Sequence, residues 1–216
     1  MERIYDVVFA AADALEGPVV ILAILALVAV VVEAGIFSVE YARRARSRRR
    51  LADLDAAAAA ARAALADGDP SAAGTALAAV TRSVAMHDTA AALVEASSRE
   101  NPEAAVAKRL ADFDFDCERR LARTRLLVRF GPALGLMGTL IPLSPALEGL
   151  AGGDVQTLAD NLRVAFSITV LGLLVGALAF ALSLVRERLY GQDFSDLEYL
   201  AALLTDEAAS RPGSIR

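Results

Sequence analysis

The sequence predicts an all-α integral membrane protein with three transmembrane helices, the second and third extended into a cytoplasmic helical bundle. Three observations lead there. Apolar residues make up 56% of the 216-residue chain, and they fall in blocks rather than evenly. Three blocks, Pro18 to Phe37, Phe130 to Leu150 and Leu162 to Val185, reach the roughly 20 apolar residues that cross a hydrocarbon core about 30 Å thick at 1.5 Å per residue. The basic residues are unevenly spread between them, with 16 of the 22 Lys and Arg lying between Tyr41 and Arg129.

That asymmetry sets the orientation. Arg43, Arg44, Arg46, Arg48, Arg49 and Arg50 follow the first block directly, and Arg186 and Arg188 follow the third. The link from Gly149 to Asn161 has no basic residue, and the segment before the first block has only Arg3 against Glu2, Asp6, Asp13 and Glu16. By the positive-inside rule the N-terminus and the link at 151–161 lie outside. The long segment at 41–128 and the C-terminal segment at 187–216 are then cytoplasmic, and the protein is a multi-pass protein of the cell membrane.

Residues 1–17 place Ile4, Val7, Val8, Ala11, Ala12 and Leu15 at helical spacing. They read as a short amphipathic helix at the outer surface or as a lead-in broken at Gly17-Pro18. A cleavable leader is not expected, because the first apolar block starts late, follows acidic residues and lacks a small-residue cleavage site.

The first span, 18–40, is bulky and uniformly apolar, as suits a helix facing lipid. Glu33 interrupts it. A carboxylate inside a span is a candidate proton carrier, but Glu33 lies close to the inner end, near Glu40 and the arginines, so the prevailing reading is a boundary residue that reaches the interface. The arginine run after it lacks interleaved aromatics for stacking bases, which argues against nucleic acid. Its position favours contact with lipid headgroups.

From Leu51 to Ser98 the chain is Ala-rich and reads as two or three short helices. A turn is predicted at Asp67-Gly68-Asp69-Pro70, with Ser71 as the cap, and Leu77, Val80, Val84, Leu93 and Val94 are the sparse apolar positions. His87 is the only histidine and Cys117 the only cysteine, so neither a metal site of the usual ligands nor an intrachain disulfide is expected. No cofactor is implied. His87, beside Asp88, reads as a cap or surface residue, and Cys117 as a small buried thiol. Asn101-Pro102-Glu103 starts a helix, with Pro at the first helical position. Nothing breaks it before Gly131-Pro132, so the second span is expected to continue a long helix from the cytoplasm, and the third to continue through 187–209.

The second span, 129–150, is rich in Gly and Pro. Each would cost about 1 and 3 kcal/mol in a helix interior in water, but both are tolerated in membrane helices with close neighbours. Gly131, Gly135, Gly138, Thr139, Pro142 and Ala146 form one small-residue face. In the third span, 162–186, Ala165, Thr169, Gly172, Gly176, Ala179 and Ser183 recur at intervals of four and three and form another. Small faces let helices approach closely in lipid. Thr139 and Thr169 lie on these faces, and each hydroxyl either bonds to the carbonyl one turn back or lines a polar path.

The pattern Gly131-Pro132-x-x-Gly135-Leu136-x-Gly138-Thr139, followed by Ala165-x-x-x-Thr169-x-x-Gly172-Leu173, resembles the MotA/TolQ/ExbB proton-channel family. With three spans it is similar to the ExbB and TolQ branch. The resemblance implies a homopentamer around the membrane helices of two copies of a single-span ExbD-, TolR- or MotB-like partner. It further implies a motor driven by protons or sodium ions, with Thr139 and Thr169 at the positions of the family's pore threonines. Two positions and one short run depart from the pattern. Val164 stands where many members carry glutamate, Pro142 where glycine is usual, and Gly176-Ala-Leu-Ala-Phe180 where an Ala-Ile-Pro-Ala-like run is common.

One reading is independent of the resemblance. No Asp, Glu, His or Lys lies between Phe130 and Leu147 or between Val164 and Val185, so these spans offer no titratable relay of their own. A proton path along them needs a carboxylate from another protein, to which the threonine hydroxyls would hydrogen-bond. No catalytic dyad or phosphate loop appears, so an enzyme is not expected. The alternative is a structural membrane scaffold whose small faces serve packing alone.

Overall fold

A computed structural model describes residues 14–45 and 51–209, together with residues 3, 4, 7, 10 and 11. The predicted helix at 1–17 falls partly outside the described residues, and Arg46, Arg48, Arg49, Arg50 and the tail at 210–216 fall outside them. The described chain is all helical: α1 (Glu16–Ala45), α2 (Leu51–Ala66), α3 (Pro70–Ala78), α4 (Val84–Ser97), α5 (Pro102–Ala151) and α6 (Val155–Ala209). Three of these, α1, α5 and α6, are long and apolar enough to cross a membrane.

The helices divide between two compact units, Met1–Phe37 with Leu121–Val185, and Ser38–Arg120 with Arg186–Arg216. In the first unit, Val19, Ala23, Ala26 and Val30 of α1 are buried at intervals of four, three and four, while Ile21, Ile24, Leu25 and Val28 are exposed. An apolar helix with one packed stripe and exposed apolar sides is what a lipid-facing span presents. Ala26 and Val30 pack with Leu134 of α5 and with Val175 and Ala179 of α6.

Helix α5 runs without a break from Pro102, at its first position, through Pro132, Pro142 and Pro145. Each internal proline removes one backbone donor from the helix ladder, yet the helix persists because neighbouring helices and lipid favour helical backbone. It turns into α6 at Gly153, whose φ of 81° lies in the left-handed region open to glycine. The Asp154 side chain then accepts from the Thr157 backbone N–H at 3.0 Å and from its hydroxyl, which holds the carboxyl below its usual range.

In the second unit, α2 packs on α3 and α3 on α4. The buried side chains include Ala57, Ala58, Ala61, Ala73 and Leu77; alanine lets short helices lie close. The expected cap at Ser71 is corrected. Asp69 caps α3, accepting from the N–H groups of Ser71 and Ala72 at 3.0 Å each, because Pro70 takes the first helical position and leaves the residue before it as the cap. Of the sparse apolar positions, Val84 opens α4 just after its Ser83 cap and is 70% exposed, whereas Leu77, Val80, Leu93 and Val94 are buried.

Beyond the third span, α6 buries Tyr190, Asp193, Leu197, Leu200 and Leu204, one stripe at intervals of three and four. Leu189 and Leu203 are only half-buried. Phe194 stacks on Phe113 with ring centroids 6.4 Å apart. Cys117 is a free, buried thiol whose pKa burial pushes up to about 11. His87 is exposed, 3.4 Å from Asp88.

Candidate functional site

The small faces of α5 and α6 meet within the first unit, and their glycines touch through the backbone. A Cβ added to Gly172 would lie 2.4 Å from the Gly131 carbonyl oxygen and 2.8 Å from the Gly135 nitrogen. One added to Gly131 would lie 2.6 Å from the Gly172 carbonyl oxygen. The two Gly-x-x-x-Gly motifs, each weak by itself, therefore pack against each other. Gly176 receives the Pro132 ring and Gly138 receives the Ile168 side chain, so a Cβ at either would meet those atoms within 3 Å.

The other predicted positions follow the same face. Ala146, Ala165, Ala179 and Ser183 are buried, and Pro142 is among the most completely buried side chains. Phe166, Val170, Leu173, Leu174 and Leu184, in other directions around α6, are exposed. The reading of these faces as uniformly small missed Leu134, Ile168 and Val175, which are buried among the small residues. All three sit at helical spacing with the small stripe, a signal that periodicity alone could have supplied.

Thr169 makes the polar contact between the two helices. Its hydroxyl lies 3.0 Å from the Gly135 carbonyl oxygen of α5 and 3.2 Å from the Ala165 carbonyl oxygen of its own helix. With one hydrogen to give, it donates to one or shares between both. This contact requires the absent side chain at Gly135, where a Cβ would stand 3.2 Å from the Thr169 carbonyl oxygen. Thr139 donates to the Leu136 carbonyl at 2.8 Å, and Ser183 to the Ala179 carbonyl at 2.8 Å. Each hydroxyl is satisfied as a donor and keeps acceptor lone pairs.

The two threonines share one neighbourhood through Gly135, four residues before Thr139 on α5 and hydrogen-bonded to Thr169. Glu33 lies on α1, half-buried. Chemically, the facing parts of the paired spans, Phe130 to Leu147 and Val164 to Val185, offer hydroxyl and carbonyl oxygens in an apolar surround without Asp, Glu, His or Lys. Such a surface accepts hydrogen bonds or coordinates a small cation through oxygen; it does not itself bind and release protons. Among the described residues no group of three or more His, Cys, Asp or Glu is placed to hold a metal ion.

Comparison with known proteins places this region in a family. The sequence model of the MotA/TolQ/ExbB proton channel family matches residues 73–196, more than half of the chain and a stretch that contains both threonines and both glycine motifs. No curated protein matches the chain.

Proposed function

We propose, from the premise that this chain belongs to the MotA/TolQ/ExbB proton channel family, that it is a ring-forming subunit of a motor driven by an ion gradient. It is a membrane protein with three candidate spans. In this reading five copies surround the membrane helices of two copies of a single-span ExbD-, TolR- or MotB-like partner, with 41–128 and 187–216 in the cytoplasm. Protons, or sodium ions, pass along the interior beside Thr139 and Thr169, and their passage is converted into mechanical work.

The observation that carries this reading is the absence of any Asp, Glu, His or Lys from the facing parts of the second and third spans. A protein of a proton-channel family whose second and third spans carry no Asp, Glu, His or Lys along their facing parts needs the charge from elsewhere. Placing an isolated carboxylate in hydrocarbon is costly, so it is held protonated or compensated by polar contacts. The threonines suit the protonated form. Their donors are committed to backbone carbonyls, so they accept a hydrogen bond from a carboxylic acid or from water. Losing the proton leaves a carboxylate facing oxygens that have nothing to donate, which drives it away from the threonines toward a more hydrated position. This alternation is the elementary step by which proton binding and release bias movement of the partner within the ring.

The same committed donors favour a second reading, in which the hydroxyls serve packing and the chain is a membrane scaffold. Proton uptake by liposomes containing the complex, purified through a tag on this chain, separates the two. Thr139→Val with Thr169→Val should reduce uptake at least about tenfold while leaving the complex assembled. Undiminished uptake would remove the threonines from the pathway.

A further inference from the structure

Asp193 is completely buried in a stripe of α6 that is otherwise Tyr190, Leu197, Leu200 and Leu204. Both of its oxygens are engaged by residues far away in sequence. Arg44 Nη1 donates to Oδ1 at 3.0 Å, Arg44 Nη2 lies 2.8 Å from Oδ2, and the Ser83 hydroxyl donates to Oδ2 at 3.1 Å. Arg44 is buried too. It also donates to the Leu189 carbonyl at 3.3 Å and to Glu40 at 2.9 Å, and its guanidinium lies 5.8 Å from the centre of the Tyr190 ring. Ser83 is at the same time the N-cap of α4, accepting from the Met86 N–H at 3.1 Å. One carboxylate thus ties the last turns of α1 and the first turn of α4 to α6. Nearby on α6, Asp196 pairs with Arg82, and Tyr199 donates to Asp55 of α2.

A two-pronged arginine–carboxylate pair is directional as well as strong. Apolar residues of similar size often match or exceed the stability of a buried ion pair, so what such a pair adds, in the cases where it is favoured, is a fixed geometry. Burial raises the Asp193 pKa, while Arg44, Ser83 and Arg82 oppose that rise. The carboxylate lies in an enclosed setting where losing Arg44 removes the charged partner of both its oxygens. The same unbroken helix carries Thr169.

We propose that Asp193 is a positioning residue of the motor: it fixes the inner end of the first span and the start of α4 to α6, and conduction depends on that arrangement. The inference rests on the function proposed above. Its test uses the full chain in its complex, purified through a tag and placed in lipid nanodiscs for hydrogen exchange and in liposomes for proton uptake.

In Asp193→Asn, exchange should rise about tenfold or more both at Ser38–Arg44 and at Val84–Asp88, with Ala165–Ala179 unchanged, and proton uptake should fall about tenfold. Arg44→Lys, which loses the second prong, should raise exchange at the first segment alone, and Ser83→Ala at the second alone. If Asp193→Asn does not fold, these two variants decide. Exchange within about twofold of wild type at both segments overturns the proposal, and so does a rise in exchange with unchanged uptake. A wild-type complex that takes up no protons counts against the motor reading, and the exchange measurements still decide the positioning role.

Discussion

Gly131 and Gly172 meet backbone to backbone across the interface of the second and third spans, so close that a single carbon added to Gly172 would stand 2.4 Å from the Gly131 carbonyl oxygen. Backbone on both sides leaves no flexible side chain to move aside. The approach also brings Thr169 within hydrogen-bonding distance of the Gly135 carbonyl, so the glycine contact and the polar contact depend on each other.

Gly172→Ala should therefore destabilise the protein by about 2 kcal/mol or more, at the upper end of overpacking costs. Gly74→Ala, at a helical glycine with nothing within 4 Å, should be neutral or stabilising by about 0.5 to 1 kcal/mol. Thermal unfolding followed with a thiol-reactive dye reads both, because the single cysteine, Cys117, is buried in the folded chain. Equal melting temperatures for the two variants would contradict the packing described.

Thr169→Val removes the hydroxyl but keeps the shape. Hydrogen bonds between membrane helices average only about 0.6 kcal/mol, so the melting temperature should fall little, and Thr169→Ser should restore the wild-type value. A loss of several kcal/mol would make the contact a structural keystone, and the conduction experiment could then no longer be read as a pathway effect.

The Cys117 thiol should be unreactive at moderately alkaline pH. With its pKa pushed to about 11, about 0.3% of it is thiolate at pH 8.5, and the thiolate is the nucleophile. Maleimide labelling of the folded protein at that pH should be at least about 50-fold slower than after unfolding in detergent. Because the folded pKa is raised, from 9.0 to about 11, the neutral thiol's contribution to stability is complete below about pH 9 and is lost as the pH climbs toward 11. The melting temperature should drop over that window, and less so in Cys117→Ala.

Much of this was legible in the sequence, for identifiable reasons. Apolar length marks a span, and a stripe such as Ala165, Thr169, Gly172, Gly176 and Ala179 marks a face, because both depend only on local helical geometry. The start at Pro102 and the continuity of α5 were readable in the same way. What a stripe meets is not local. That Gly172 would find Gly131, or that the Thr169 hydroxyl would cross to Gly135, depends on how two helices settle against each other. In the sequence Arg44 is one member of a basic run, and only the phase of Asp193 with Tyr190, Leu197 and Leu200 marks it as an anomaly. Their pairing spans 149 residues, beyond the reach of any periodicity. The cap at Asp69 was missed because Ser71 is also a good capping residue, and only the place of Pro70 decides between them.

In the function proposed here, this chain supplies oxygen-lined helices but not the titrating group. The most direct test compares proton uptake, read with a pH-sensitive dye, by liposomes holding the chain alone and by liposomes holding the complex recovered through a tag on it. Uptake is expected for the complex, and none above empty liposomes for the chain alone. Uptake by the chain alone at the rate of the complex would contradict it.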